Sequence, residues 1–375
     1  MRHLRWWIGA AVLLVTATWA LWPGTRPAQA PGDVLNAQPR RTASIELTDE
    51  ARLAALRRAR VWRPAHDRSR TTLVVTDDPR HTFSASPLEC RFQPEVPHGT
   101  TPKFSCVLAD GDVVKVKYGT TSEIPAEIAA SRLLSVLGFG ADDMFLVPRV
   151  RCYGCPRRPF ELSWVADRFH LRDVVMRRFP PQRYVDFEWA AVERRFPAPA
   201  IETPTREGWA WYELDAEDPS DPHSRAERDA LRLAAMLLTH WDNKAENQRF
   251  TCLDSDVSNR DCAHPFAMIH DLGSTFGPRK TEIDAWATRP VFKDAARCVL
   301  SMRDYPYGGG TFPDWEIGEG GRQLLLAELR SISEADARDW LEAARFDQPE
   351  RWAAAFMARV QQIAMAGPCL AGDEA

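Results

Sequence analysis

Two short runs in this chain of 375 residues concentrate side chains capable of polar chemistry: His240-Trp241-Asp242-Asn243-Lys244-Ala245-Glu246-Asn247 and Ile269-His270-Asp271-Leu272-Gly273. A carboxylate can orient or deprotonate a hydroxyl. Carboxylate and carboxamide oxygens are hard donors suited to a divalent cation, and an ammonium offers a compact charge to an anion. Alone, Asp242, Asn243 and Asn247 read equally well as a polar turn after a helix. The combination goes further, because the two runs follow an apolar helix in order and a strand-turn-strand pattern separates them. The first run also carries one of the chain's few lysines.

Of the 48 basic residues, 42 are arginine and six are lysine: Lys103, Lys115, Lys117, Lys244, Lys280 and Lys293. Coding bias explains arginine on exposed surfaces, but a planar fork does not replace an ammonium at every site. In Val113-Val-Lys-Val-Lys-Tyr118, period-two alternation puts Lys115 and Lys117 on one face of a strand. A helix carrying Glu127 follows in Pro125-Ala-Glu-Ile-Ala-Ala-Ser-Arg-Leu-Leu134. Outside a site, these lysines would read as the charged edge of a sheet and Glu127 as a solvated helix face.

The first run resembles the catalytic loop of protein kinases, His-x-Asp-x-Lys-x-x-Asn, and the second resembles their Asp-Phe-Gly metal motif. That resemblance implies that Asp242 orients or deprotonates an acceptor hydroxyl, that Asn247 and Asp271 hold Mg²⁺ or Mn²⁺, and that Lys244 lies near the transferred phosphoryl group. It also implies a strand lysine anchoring the phosphates of ATP and a helical glutamate orienting it. Lys117 and Glu127 fit those roles, with Lys115 as the alternative lysine. In place of a Gly-x-Gly-x-x-Gly loop stands Pro97-His-Gly-Thr-Thr-Pro-Lys103, whose Gly99, Thr100, Thr101 and Lys103 would approach the phosphates. With its Ala-Glu-Ile-Ala-Ala helix and no Ala-Pro-Glu after Gly273, the chain is similar to the HipA, phosphatidylinositol kinase and secretory-pathway Golgi casein kinase group over about residues 97–277. The implied fold is α+β, a two-lobed atypical kinase-like architecture with a strand-rich lobe over 70–150 and a helical lobe over 151–375. The implied activity is ATP-dependent phosphoryl transfer to a hydroxyl of a protein, sugar or lipid. An alternative of another class is a disulfide-stabilised, non-catalytic binding or scaffold protein of the cell envelope.

Several elements must position these residues. Thr72–Thr76, Phe104–Leu108 and Asp112–Tyr118 read as strands, with Asp110-Gly111 as a hairpin turn. Glu123–Leu137 reads as a helix closed by Gly138. Ser224-Arg-Ala-Glu227 has the spacing of a capping box and opens an apolar helix ending near His240. Gln248–Leu253 and Phe266–Ile269 read as strands, and 321–366 as helical. Glu50–Arg63 has the pattern of a short helix, 31–48 that of a linker, and 156–222 that of irregular structure with short helices.

Composition bounds the rest. With 45% hydrophobic residues and a net charge of −4, the chain is globular with a sizeable core, which excludes collagen-like, wholly disordered and polytopic membrane proteins. No basic stripe indicates nucleic acid. Arg2, His3 and Arg5 precede an apolar run from Trp6 to Trp22, and Ala28-Gln29-Ala30 has a small-x-small cleavage pattern. Export to the periplasm or envelope is therefore expected, with the chain soluble after cleavage near Ala30 or anchored in the membrane by Trp6–Trp22. Eight cysteines, an even number, fit an oxidising compartment. The metal reading of Cys152-x-x-Cys155 lacks a second ligand pair, and the local disulfides the sequence offers are Cys90–Cys106 and Cys252–Cys262.

Overall fold

The computed structural model describes residues 31–40, 44–64, 72–74, 86–95, 98–171, 179–215, 222–254, 262–306 and 308–370. The apolar run Trp6–Trp22 and the Ala30 cleavage pattern lie outside them. In order, the elements are α1 (Gly32–Asn36), β1 (Ser44–Glu46), α2 (Asp49–Arg57), β2 (Leu88–Gln93), β3 (Lys103–Leu108), β4 (Val113–Lys117), α3 (Glu123–Leu137), β5 (Asp143–Tyr153), α4 (Pro159–Arg168) and β6 (Tyr184–Arg194). They continue with β7 (Ala200–Glu202), α5 (Pro222–Leu238), β8 (Gln248–Cys252), β9 (Pro265–Ile269), α6 (Ile283–Thr288), β10 (Val299–Leu300), β11 (Trp315–Glu316), α7 (Glu319–Leu329), α8 (Glu334–Ala343) and α9 (Pro349–Met365). The fold is α+β.

Five strands close into a barrel of order β2-β3-β4-β6-β5, and β1, β7, β8 and β9 form a separate four-stranded sheet. Alternation explains the barrel. Val114 and Val116 point into a core with Phe104, Phe145, Val147 and Val192, so Lys115 and Lys117 point out of it. At the β3–β4 turn, Gly111 has φ +86, and a Cβ there would stand 2.6 Å from the carbonyl of Gln38. Glycine alone fits that corner.

A second, larger core joins α3 to α5, α7, α8 and α9. Helix α3 buries Ala126, Ile128, Ala129, Ala130, Leu133 and Leu134, as expected of a helix that is apolar around most of its circumference. It ends where Gly138 turns left-handed at φ 93 and the Phe139 N–H returns to the Leu134 carbonyl at 2.9 Å. The indole of Trp340 on α8 donates to the Ala129 carbonyl at 3.1 Å, which fastens α3 to the C-terminal helices.

Several sequence expectations change. Residues 31–48 are not a plain linker: they include α1 and β1, and β1 pairs in parallel with β7. Residues 72–74 form no strand, and the remainder of Thr72–Thr76 lies outside the described residues. Helix α2 stops at Arg57, short of Arg63. The Ser224–Glu227 spacing caps nothing, because α5 already begins at Pro222 and the Glu227 carboxylate is engaged by Arg60. Within 156–222 lies β6, an 11-residue strand on which the barrel closes, so the strand-rich unit reaches Arg194.

All eight cysteines pair: Cys90–Cys106, Cys152–Cys155, Cys252–Cys262 and Cys298–Cys369. Four disulfides suit an oxidising, exported environment. Among the described residues, no helix is long and apolar enough to cross a membrane.

Arg359 on α9 fixes the helix that leads into the 240–247 run. Its guanidinium is fully buried and donates to the carbonyls of Met236, Leu237, Trp286 and Arg289 and to the Thr239 hydroxyl. The ends of α5 and α6 both present carbonyl oxygens to it, so helix dipoles stand in for a carboxylate. Arg359→Met strands these acceptors. It is expected to cost about 3–5 kcal/mol in urea unfolding, and a loss below about 1 kcal/mol would contradict this role.

Candidate active site

The barrel face opposite its core is built in rows across β3, β4 and β6. Lys103 stands opposite Lys117, which stands opposite Ala191; the next row is Ser105, Lys115 and Glu193. Lys117 is 1% exposed, with its Nζ 2.5 Å from Glu127 Oε2 and 3.5 Å from Glu123 Oε1. The two glutamates share a face of α3 because they are four residues apart. Glu123 Oε2 also accepts from the Thr101 hydroxyl and from Lys280 Nζ, each at 2.5 Å. Lys115 pairs with the buried Glu193 at 2.7 and 2.9 Å. Gly273 lies against Glu123, where a Cβ would come 2.4 Å from Cγ, so no larger residue fits.

The opposite wall comes from the loop after α5 and the end of β9. The Asn247 side-chain nitrogen donates to the Asp242 carbonyl at 2.6 Å, leaving the amide oxygen as its acceptor. The backbone N–H groups of His270 and Asp271 both donate to the Asn247 carbonyl, at 2.9 and 3.1 Å, which joins the two runs directly. Asn243 fastens the loop from behind. Its Oδ1 accepts from the N–H groups of Thr311 and Phe312 at 2.8 and 2.9 Å, and its Nδ2 donates to the carbonyls of His240 and Trp241 at 3.2 Å. His270 Nδ1 lies 2.5 Å from the buried Asp142 carboxylate, whose other oxygen accepts the Phe196 N–H at 2.7 Å.

Electrostatics divide these groups. Burial opposes ionisation of Asp271, but Lys117, His270 and Lys115 outweigh it and hold the carboxyl far below the usual range. Burial also opposes charge on Lys117, and Glu127, Asp271, Glu193 and Glu123 together keep the ammonium charged well past its ordinary value. Glu127 is pushed up to about 7 by burial and by its acidic neighbours, against the pull of Lys117. Burial raises Asp242 as well, and its Oδ1 is enclosed with no hydrogen-bond partner among the described residues. His240, fully buried, is pushed down to about 4 and stands neutral at pH 7.

The sequence-nominated residues thus fall into two groups. Lys117, Glu127, Lys115, Lys103, Asn247, Asp271 and Asp242 converge. Lys244 is half-buried beside Asp242, on whose carboxyl its charge acts. Gly99 and Thr100 are exposed, and it is Thr101, buried at 5%, that reaches into the site through Glu123. Sequence reasoning did not place Glu123, Lys280, Glu193, Asp142, His270 or Asn243. For Lys280 a signal existed: it is one of six lysines, five of which gather here, whereas Lys293 pairs with Asp314 away from the site. The carboxylates of Asp142 and Glu193 and the His270 ring lie within 4.8 Å of one another, yet each is engaged by a partner, the first and last by each other and Glu193 by Lys115.

No protein-family model matches the chain, and no curated protein matches its sequence. Among solved structures, the chain is similar to the proinflammatory kinase CtkA of Helicobacter pylori, with 11% sequence identity and a TM-score of 0.41. The comparison covers 74% of this chain and 95% of that one.

Proposed function

We propose that the chain is an exported, divalent-cation-dependent phosphotransferase of atypical kinase type, moving the terminal phosphoryl group of ATP to a hydroxyl of a protein, sugar or lipid. The observation that carries this reading is the buried Lys117–Glu127 pair, whose ammonium acts on the Asp271 carboxylate. A lysine held by a helical glutamate offers a fixed cation to a phosphate chain.

The donor set fits Mg²⁺ or Mn²⁺: an ionised Asp271 carboxylate and the Asn247 amide oxygen are hard ligands, and the enclosed Asp242 Oδ1 lacks a partner. A cation bound by Asn247 and Asp271 would neutralise charge on the phosphates. Lys117, Lys103 and the 99–101 turn bind the chain of phosphates, with Lys280 and Glu123 closing it from the side. Asp242 accepts the hydroxyl proton as the acceptor oxygen bonds to the terminal phosphorus. The bridging P–O bond breaks, and ADP leaves with the electron pair. Lys244 beside Asp242 stabilises charge on the moving phosphoryl group.

Thermal unfolding of the full chain with ATP, with and without Mg²⁺, tests the reading. Ligand at 100 times its Kd adds about 2.7 kcal/mol, a clear shift in Tm. Stabilisation that requires the cation is expected. Its absence would overturn the phosphotransferase and leave the disulfide-stabilised scaffold.

A further inference from the structure

We infer that Lys280 contacts the terminal phosphoryl group of the bound triphosphate, and that Glu123 is the positioning residue that aims it. This deepens the phosphotransferase reading and rests on it. The Glu123 carboxylate gathers donors from three separate segments. Its Oε2 accepts from the Thr101 hydroxyl and from Lys280 Nζ, each at 2.5 Å, and its Oε1 lies 3.5 Å from Lys117 Nζ. Lys280 therefore stands beside the proposed phosphate anchor. Together with Lys244, it also acts on the carboxyl of Asp242, the proposed base. In-line transfer requires the terminal phosphorus to lie between the lysine that holds the phosphate chain and the group that takes the acceptor proton. The Lys280 ammonium reaches toward both.

The backbone around Lys280 points the same way. Phe276, Lys280 and Thr281 take φ 59, 60 and 48, the left-handed region that residues with a Cβ disfavour, and Gly277 takes φ 113. Such strain persists only where the surroundings fix it, and it gathers at functional sites. Here the fixing contacts come from the loop that carries Asp242 and from α3. The Trp241 indole donates to the Gly277 carbonyl at 3.0 Å, the Phe276 N–H donates to the Leu238 carbonyl at 2.8 Å, and Glu123 takes the Lys280 ammonium. An ammonium has three N–H donors. Glu123 accepts one of them, and 26% of the Lys280 side chain stays open, so two donors remain for phosphoryl oxygens. As the acceptor oxygen bonds to phosphorus and the bridging P–O bond breaks, ADP takes the electron pair. Lys280 forms and breaks no covalent bond and keeps its protons; it donates to the oxygens over which the charge spreads.

Calorimetric titration of the full chain with Mg²⁺-ATP and with Mg²⁺-ADP tests this, because ADP lacks the terminal phosphoryl group. Lys280→Met is expected to weaken Mg²⁺-ATP by about tenfold or more, the loss of charge-assisted hydrogen bonds, and to leave Mg²⁺-ADP within about threefold of the parent. Glu123→Gln keeps an oxygen for the Thr101 hydroxyl but no charge for Lys280. It should reduce the preference for ATP over ADP in the same direction, and add little in the Lys280→Met background. A merely structural role would weaken both nucleotides alike. Should Lys280→Met lower the Tm of the unliganded chain, Lys280→Gln, which still donates to Glu123, carries the same expectation. Unchanged or tighter ATP binding in these variants, or equal losses of ATP and ADP, would overturn the inference while leaving the phosphotransferase intact. Failure of the parent to bind either nucleotide with Mg²⁺ would overturn the phosphotransferase reading itself.

Discussion

Asp242→Asn is expected to slow phosphoryl transfer by about 10²- to 10⁴-fold while Mg²⁺-ATP affinity changes by less than about threefold. The asparagine keeps the shape of the side chain and its neighbours. What it loses is the ability to accept a proton. Because burial raises the Asp242 pKa, the acid limb of the rate profile in the parent should fall at a pH above the ordinary aspartate value near 3.9, as the protonated acid cannot serve as base. Single-turnover rates across pH, together with a binding titration, check both parts. A variant that transfers at the parent rate would remove Asp242 from the chemistry.

Asp271→Asn should act on binding first. Loss of the carboxylate proposed to hold the cation is expected to weaken Mg²⁺-dependent ATP binding by about 10- to 100-fold, and turnover by at least as much. Its stability signature has a definite sign. Burial works against the charged form, but Lys117, His270 and Lys115 depress the folded-state pKa below that of the unfolded chain. The carboxylate therefore contributes stability that is present above about pH 4 and is lost as pH falls through the folded value. Parent and variant should differ at pH 7 and converge in acid. Equal cation dependence of ATP binding in the two proteins would sink the assignment.

Much of the site was legible because it is local. The bounds of α3 follow from its apolar spacing and Gly138, and the outward pair Lys115 and Lys117 follows from strand alternation. The two polar runs announced themselves by spacing. What escaped detection depends on long-range approach or on broken periodicity. In β6, Trp189 takes φ 52 and Glu188 precedes it, so the alternation that marks a strand fails and Glu193 had no frame from which to be placed. Lys280 meets Glu123 across 157 positions, a distance no local pattern spans. The Ser224 spacing misled because a capping box requires a helix start, and α5 had already begun.

The burial of α3 in the larger core ties the proposed site to the stability of the whole fold. Glu127 rides on a helix that shares its packing with α7 and α8, and Trp340 bonds to its backbone. Displacing that helix means opening the core itself, so assembly of the lysine–glutamate pair and cooperative folding become a single event. A folded population with the glutamate withdrawn is therefore not expected. Heating or denaturant should extinguish the proposed phosphoryl transfer along the same curve that reports loss of structure.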